Sequence, residues 1–323
     1  MTDTTTPPHV LVADVGGTNT RVALARGGCV LPDTIRRYPN HAHPDLWSIL
    51  RHYLAGQGAP ACQEACVALA GPVRDGEGRM TNLEWRIDGE GLRAATEARK
   101  VAILNDLQAQ GHALGHVDEG MIAPVLEQGP EVLPARSTRL VIGIGTGFNS
   151  AAVHEAAGGR HVVPSESGHA GLPVQGEADL ALAQWLRARH GFAAVEDVLS
   201  GRGLERLHLW LGQRAGGGPA LSAAEIVRAA GTDEAASETL RHFARMLGTV
   251  AGDLALIHLP FGGIYLAGGV ARAVAPHLNA SGFAEAFRDK GRFSGFMRNF
   301  PVFVIEDDYA ALTGCARHLT ALP

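Results

Sequence analysis

Two short segments place glycines directly after a predicted buried strand, a pattern suited to holding phosphate groups. The first strand, residues 9–15, contains Asp14 near its end. The turn after it consists of Gly16, Gly17, Thr18 and Asn19. Adjacent glycines let backbone N–H groups approach a phosphate, and Asp14 suits Mg²⁺ held through water, because that ion keeps much of its hydration shell. The alternative is a hairpin turn whose glycines only supply positive φ, and the lysine of a P-loop is missing.

The second segment follows a predicted strand at 140–144 and consists of Gly145, Thr146 and Gly147. The run GIGTGF is not a dinucleotide-binding fingerprint, because Phe148 stands where the third glycine is required. The residues after it also predict a strand rather than a helix. Two such turns, one in each half of the chain, predict two sets of backbone donors on one polyphosphate.

A third glycine pair, Gly268 and Gly269, lies between a predicted buried strand at 263–267 and a helix that begins near Val270. Such a turn can lie against an adenosine or place a helix N-terminus near phosphate. Simple strand-to-helix geometry is the alternative interpretation.

Asn105 and Asp106 end another predicted strand, residues 101–104. A carboxylate at this position can accept the proton of an attacking hydroxyl, while Asn105 hydrogen-bonds a neighbouring hydroxyl. Both residue types also favour the N-cap of a helix, so a cap without chemistry is the alternative.

Three more polar side chains, Glu166, His169 and Glu196, follow in the second half of the chain. Two acids and a histidine in one site suit a polyhydroxylated ligand, because carboxylates accept hydrogen bonds from vicinal hydroxyls. The alternatives are a loop histidine satisfied by backbone groups and a glutamate on a solvated helix surface.

Apolar periodicity predicts an α/β protein that places these residues at strand ends. Strands are predicted at 9–15, 21–25, 65–70, 101–104, 140–144, 150–154, 161–164, 263–267 and 301–305. Helices are predicted at 44–54, 177–190, 200–211, 222–229, 234–257 and 308–319, with further helices beginning near residues 106 and 270. Both halves begin with a hairpin that carries a glycine-rich turn. This weak duplication predicts two α/β domains facing each other across a cleft.

Composition and charge argue against several classes of protein. A net charge of −5 leaves no electrostatic footprint for nucleic acid or an anionic membrane surface, so neither is an expected partner. Four cysteines without a second close pair predict no zinc site and a reducing compartment. No secretory signal and no apolar run of membrane-spanning length are visible, so a cytoplasmic location is expected.

Taken together and in order, the motifs resemble those of the bacterial glucokinases of the proteobacterial type, within the hexokinase, actin and Hsp70 superfamily. The resemblance runs nearly from end to end. The matching segments are DVGGTNTR at 14–21, MTNLEW at 80–85, ILND at 103–106, GTG at 145–147, ESGH at 166–169, VLSGRGL at 198–204, FGGIYLAGGV at 261–270 and DKGRF at 289–293.

The resemblance implies two ribonuclease-H-like (actin-like ATPase) domains that flank a cleft. The expected division is a small domain of residues 1–110 plus 306–323 and a large domain of residues 111–305. It further implies a glycolytic kinase that uses ATP and Mg²⁺ to phosphorylate glucose at the 6-hydroxyl, in a family whose members often form homodimers.

The same resemblance implies a role for each matching residue. Asp106 would be the catalytic base, and Asp14 would hold the metal. The sugar hydroxyls would be bound by Asn105, Glu166, His169 and Glu196. The ATP would be held by Gly16, Gly17, Thr18, Asn19, Gly145, Thr146 and Gly147 at its phosphates and by Gly268 and Gly269 at its adenosine.

Two positions depart from the family's usual motifs. Asn149 stands where GTGLG has its last glycine, and Ser167 stands where EGGH has its first glycine. Either change could alter sugar preference or weaken turnover, and neither removes a group with an assigned chemical role.

Other functions stay open at this point. One is a kinase for another hexose, such as mannose, fructose or an N-acetylated sugar, and another is a sugar-sensing protein that keeps the fold without the catalysis. A nucleotide-binding chaperone or filament protein is disfavoured, because those lack the constellation of Glu166, His169 and Glu196. The related repressor-and-kinase family is disfavoured too, because it typically carries cysteines soon after its sugar-binding histidine, and here none lies between Cys66 and Cys315.

Overall fold

The computed structural model describes residues 8–80, 83–130, 132–134, 136–157 and 159–322. Its strands are β1 (His9–Val15), β2 (Asn19–Arg26), β3 (Cys29–Val30), β4 (Arg36–Pro39), β5 (Cys62–Leu69), β6 (Val73–Arg74), β7 (Glu77–Arg79), β8 (Arg86–Asp88), β9 (Lys100–Asn105), β10 (Ile122–Leu126), β11 (Arg139–Ile144), β12 (Phe148–Ala156), β13 (Gly159–Pro164), β14 (Ile264–Ala267) and β15 (Val302–Ile305). Its α-helices are α1 (Leu46–Gly56), α2 (Gly89–Thr96), α3 (Asp106–Ala113), α4 (Glu177–His190), α5 (Gly201–Arg214), α6 (Ala223–Ala229), α7 (Glu234–His258), α8 (Gly269–Leu278), α9 (Phe283–Arg288) and α10 (Ala310–Ala321). Thr81 and Asn82 of the MTNLEW segment lie outside the described residues.

The chain forms two compact units. The first comprises Met1–Asp118, Gly158–Val162 and Asp307–Pro323, and the second comprises Glu119–Ala157 and Val163–Glu306. The division into domains expected from the sequence, 1–110 plus 306–323 and 111–305, stays a prediction. Among the helices that the structure describes, none is both long and apolar enough to cross a membrane.

The first unit is built on a sheet with the strand order β3-β2-β1-β5-β9, with β4 also paired to β2. β1 is antiparallel to β2 and parallel to β5, which is parallel to β9. The apolar run of β1 is continuous because both of its faces are covered. Leu11, Ala13 and Val15 pack in an apolar cluster with α1, whereas Val10 and Val12 pack in another with α10. A small antiparallel sheet of β6, β7 and β8 belongs to the same unit.

The second unit repeats the same strand arrangement. β11 and β12 form an antiparallel hairpin, and on the other side of β11 the strands β14 and β15 run parallel to it. β10 pairs with β15 in the antiparallel sense. The central helix is α7, 25 residues long, which packs against α5, α6, α8 and α9 around one large apolar cluster.

The elements predicted from the sequence are confirmed. Their observed bounds differ from the predicted ones by at most three residues, as at the start of β5 and the end of α5. The elements that the sequence did not predict are β3, β4, β6, β7, β8, β10, α2 and α9. Most of these are short, and none carries a predicted site residue.

Candidate active site

The first glycine turn joins β1 to β2. Within it, the Gly16 N–H donates to the Asn19 carbonyl oxygen at 3.0 Å. Neither Gly16 nor Gly17 is among the described residues with positive φ, so the interpretation that these glycines only supply positive φ is wrong. A Cβ at Gly16 would lie 3.2 Å from the Asn19 oxygen, so even one methyl group would crowd the turn. The absence of bulk keeps the backbone accessible beside the exposed Thr18.

Asn40 stabilises this turn through hydrogen bonds to its backbone. Its side chain is only 2% exposed. Asn40 Nδ2 donates to the Gly16 carbonyl oxygen at 2.8 Å, its backbone N–H donates to the Thr18 carbonyl oxygen at 2.9 Å, and its Oδ1 accepts from Thr20 Oγ1 at 2.8 Å. The sequence analysis did not single out Asn40. An asparagine after a proline signals a turn, but not a partner 24 residues away.

Asp14 lies opposite Arg21 in the β1–β2 hairpin, and Arg21 Nη1 donates to Asp14 Oδ2 at 3.0 Å. Burial raises the pKa of Asp14, and the Arg21 guanidinium opposes that rise. Mg²⁺ usually binds one or two carboxylates and keeps several of its waters. Asp14 therefore fits a water-mediated magnesium contact, and Arg21 already occupies one of its two oxygens.

Asn105 is the N-cap of α3, as the alternative interpretation predicted. Its Oδ1 accepts from the Leu107 N–H at 2.9 Å. Gln108 Oε1 accepts from the backbone N–H of Asn105 at 3.0 Å, which completes a capping box. Asn105 Nδ2 donates to the Gly71 carbonyl oxygen at 3.0 Å, and the residue is 6% exposed. Among the described contacts, the second hydrogen of Nδ2 and one lone pair of Oδ1 remain for a sugar hydroxyl.

Asp106 is the first residue of α3, and its side chain is partly exposed. Its Oδ1 accepts a hydrogen bond from the Leu107 N–H at 2.9 Å. The positive end of the helix dipole favours an anion at this position. The local fold therefore holds a carboxylate at the strand end where a base is predicted.

These residues share one edge of the first sheet. Val15 pairs with Leu69 of β5, and Leu69 pairs with Asn105 of β9. Strands in a sheet lie about 4.8 Å apart, so residues two strands away are separated by roughly 10 Å. The carboxyl edge of this sheet thus brings the first glycine turn and the Asn105-Asp106 pair into one region of the first unit.

The second glycine turn joins β11 to β12 and lies against the start of α5. The Gly145 N–H donates to the Gly147 carbonyl oxygen at 2.9 Å, and the Gly145 oxygen accepts from the Gly201 N–H at 2.9 Å. No heavy atom lies within 4 Å of a Cβ built on Gly145, so this face of the turn is open. An open turn beside a helix N-terminus has the geometry that phosphate groups favour.

Gly268 and Gly269 lie at the same edge of the second sheet, because β14 pairs with β11 in the parallel sense. Gly268 has a φ of 102°, and a Cβ on it would lie 2.5 Å from the Ile144 carbonyl oxygen. The strand-to-helix geometry therefore requires glycine at this position. Gly269 begins α8, and a Cβ there would meet no atom within 4 Å, so the helix end is accessible.

Glu196 is bound to the second glycine turn. It lies in the 3₁₀ turn Val195–Asp197, and its Oε2 accepts from the Phe148 N–H at 2.9 Å. A Cβ on Gly147 would collide with this carboxylate. The interpretation of Glu196 as a solvated helix residue is therefore wrong, and Gly147 is needed for the close approach of Glu196.

Glu166 precedes a second 3₁₀ turn, Ser167–His169, and His169 is the last residue of that turn. Both side chains are exposed, and Glu166 Oε2 accepts from Asn149 Nδ2 at 3.1 Å. A Cβ on Gly168 would collide with the Phe148 carbonyl oxygen, so this turn packs directly on the first residue of β12. The second unit thus brings the second glycine turn, Glu166 and Glu196 together around the start of β12.

A cavity of about 550 Å³ lies elsewhere in the second unit, among α4, α7 and α9. Asp179, Arg245 and Arg288 are among its lining residues. It contains none of the predicted site residues, so its size does not identify the site.

Comparisons with known proteins cover both units. A family model described as Glucokinase matches residues 11–322. The chain is 33% identical over 314 residues to a glucokinase of Marinobacter nauticus, with 96% of this chain and 97% of that protein covered. It is 35% identical over 318 residues to a glucokinase of Caulobacter vibrioides, with 96% and 95% covered. The crystal structure of a glucokinase from an Antarctic psychrotroph is similar, with a TM-score of 0.83, 30% identity, and 97% of this chain and 99% of that chain covered.

Proposed function

The chain belongs to the glucokinase family, and from this we propose how its own residues carry out the ATP-dependent phosphorylation of glucose. The activity itself rests on one observation, the family match over residues 11–322, which spans every predicted site residue. The chain is therefore an enzyme that transfers the γ-phosphoryl group of ATP to glucose. The assignment of roles to single residues is our proposal.

Asp106 is the general base in this proposal. It accepts the proton of the glucose 6-hydroxyl while the hydroxyl oxygen attacks the γ-phosphorus in line. The bond from that phosphorus to the bridging oxygen of ADP breaks, and no covalent enzyme intermediate forms. The position of Asp106 at a strand end and helix start, with partial exposure, supports this role.

Glu166, His169 and Glu196 bind the sugar hydroxyls, and Asn105 contributes its remaining amide hydrogen. The exposure of Glu166 and His169 supports this role, as does the attachment of both glutamates to the start of β12. Rigid support for such groups is what orients a sugar for attack.

The two glycine turns hold the ATP phosphates through backbone N–H groups, and Gly268 and Gly269 lie beside the adenosine. The open space beside Gly145 and Gly269 supports this part of the proposal. Magnesium, when bound, neutralises charge on the phosphate oxygens, and Asp14 would hold it through water.

We further propose that the two units are the two ribonuclease-H-like domains of the superfamily. The support is that each sheet pairs an antiparallel hairpin with two parallel strands. A homodimer and a cytoplasmic location are proposed from family membership alone, and sedimentation of the purified protein tests the former.

The test of the function is ATP consumption against a panel of sugars in a coupled ADP assay. We expect glucose to have the highest kcat/KM, above mannose, fructose and N-acetylglucosamine. Because Asn149 and Ser167 depart from the usual motifs beside Glu166, a preference for another hexose is the second candidate. Sugar-independent ATP turnover, or no turnover with any sugar, would refute the proposal.

A further inference from the structure

The two residues that depart from the family's usual motifs contact each other. Asn149 follows the phosphate turn in β12, and Ser167 follows Glu166. Asn149 Oδ1 accepts from the Ser167 N–H at 3.0 Å and from Ser167 Oγ at 3.3 Å. The two departures therefore form one structural feature rather than two separate changes.

The orientation of the Asn149 amide follows from its partners. Oδ1 also accepts from the Ser150 N–H at 2.8 Å. A backbone N–H can only donate, so two such donors require the carbonyl end of the amide to face them. The NH₂ end then faces Glu166, whose Oε2 accepts from Asn149 Nδ2 at 3.1 Å. A side chain at position 149 thus supplies a donor aimed at the Glu166 carboxylate, which glycine there cannot do.

Three serine hydroxyls hold this arrangement in place. Ser150 is 1% exposed, and its Oγ lies 3.0 Å from Ser165 Oγ and 2.8 Å from Ser167 Oγ. Ser165 Oγ also lies within hydrogen-bond distance of Asn149 Oδ1, at 3.1 Å. The hydroxyl of Ser167 therefore belongs to a polar network inside the second unit.

We propose that Asn149 is a positioning residue for the sugar-binding carboxylate Glu166, and that Ser167 fixes the Asn149 amide in the orientation that this requires. Phe148, the residue before Asn149, also donates to a sugar-binding glutamate: its backbone N–H donates to Glu196 Oε2 at 2.9 Å. Two successive residues of β12 thus orient the two carboxylates that bind the sugar, directly after the turn that binds ATP. This inference rests on the proposed sugar-binding role of Glu166.

Asn149→Asp is the most informative variant, because it keeps the shape and replaces the donor by a second carboxylate. The KM for glucose should rise about tenfold or more, the size expected for losing a hydrogen bond to a charged group, while kcat changes less. Two carboxylates in contact share a proton, which raises their joint pKa. Once protonated, the new carboxyl group at position 149 can again donate to Glu166, so the KM of this variant should fall towards the wild-type value as the pH is lowered from 8 to 6. A purely structural role would not produce this recovery.

Asn299→Asp is the matched control, because Asn299 is an exposed asparagine of the same unit whose Nδ2 donates only to the Phe296 carbonyl oxygen among the described contacts. Its KM for glucose should equal that of the wild type at each pH. Asn149→Ala and Ser167→Ala, singly and together, give a second measurement without added charge. If the proposal is correct, the double variant raises the KM by clearly less than the product of the two single effects, because Ser167 acts through Asn149.

The outcomes separate this inference from the proposed function. A wild-type protein that phosphorylates no sugar refutes the function before any variant is measured. An active wild type whose Asn149→Asp and Asn149→Ala variants keep the wild-type KM for glucose overturns the role of Asn149 and leaves the function intact. Additive effects of Asn149→Ala and Ser167→Ala overturn the pairing. If Asn149→Asp does not fold, the alanine series measured by kinetics and by glucose titration calorimetry decides alone.

Discussion

Asp106 has two features at the scale of a single residue that suit a general base. It begins α3, where the helix dipole stabilises an anion, and its partial exposure leaves it accessible to a substrate. Its neighbour Asn105 caps the helix and bonds Gly71, so the cap and the proposed base are separate residues. The sequence left open whether this pair caps a helix or takes part in catalysis. In the structure Asn105 is the cap, and Asp106 is the residue proposed for catalysis.

Asp106→Asn should lower kcat about 10²–10⁴-fold, the contribution of a positioned base, while the KM for glucose stays within a few-fold. The amide keeps the shape and can still accept from Leu107, so the melting temperature should change little. Steady-state kinetics with saturating ATP and a thermal melt check both points. Asp75→Asn is the control, because Asp75 is 88% exposed and pairs only with a similarly exposed Arg74 among the described ion pairs. Turnover of Asp106→Asn within a few-fold of wild type would contradict the assignment.

Gly147→Ala and Gly145→Ala should affect different substrates, although both lie in one turn. A methyl group on Gly147 collides with the Glu196 carboxylate, so it should displace that residue and raise the KM for glucose about tenfold or more. A methyl group on Gly145 meets no protein atom but narrows the approach to the backbone, so it should raise the KM for ATP. Separate titration of glucose and ATP distinguishes the two. An unchanged KM for glucose in Gly147→Ala would contradict the sugar-binding role of Glu196.

At the scale of elements, the packing of α3 against α10 buries a pair of histidines in the first unit. His112 Nε2 lies 3.1 Å from His318 Nδ1, and Arg160 donates to the carbonyl oxygens that end α3. Burial, reinforced by the neighbouring positive charges, lowers the pKa of His112 to about 3, and burial also lowers the pKa of His318. Both rings are therefore neutral in the folded protein at pH values where they would be protonated in the unfolded chain.

This pair should make the protein less stable in acid. Between pH 6.5 and about 3 the unfolded chain binds a proton at His112 that the folded protein does not, so unfolding becomes easier as the pH falls. The loss is at most about 1.4 kcal/mol per pH unit for one histidine. His112→Gln should flatten the dependence of unfolding free energy on pH in urea titrations at pH 7, 6 and 5. His41→Gln, at an exposed histidine of the same unit, should not. Parallel curves for wild type and His112→Gln would contradict the prediction.

At the scale of the whole molecule, the two units share one arrangement of a hairpin, a glycine turn and parallel strands. Each carries its glycine turn in a hairpin, and each has further predicted site residues at the carboxyl end of a parallel strand, β9 in the first unit and β14 in the second. Glu196 is different, because it lies in the 3₁₀ turn between α4 and α5. In open α/β sheets the carboxyl edge is where ligands bind, because loops and helix N-termini meet there. The repetition gives each unit its own glycine turn, in a hairpin at the carboxyl edge of its parallel strands.

The sequence alone predicted most of the longer strands and helices and the residue types at their ends. Continuous or periodic apolar runs predicted β1, β11 and α7, because burial follows directly from local spacing. The unpredicted strands β3 and β6 have two residues each, too few to show a period, and their pairing supplies the structure. The order of the motifs was enough to indicate the glucokinase family, which the comparisons confirmed.

Only the tertiary structure decided how the site residues are supported. Asn40 holds the first turn from 24 positions away, Glu196 bonds the Phe148 N–H, and Asn149 faces Glu166. Hydrogen bonds require atoms within about 3 Å, and such contacts between distant segments arise from packing, which no local pattern encodes. The sequence therefore identified the chemical groups, whereas the fold determined which of their atoms are already bonded and which remain for substrate.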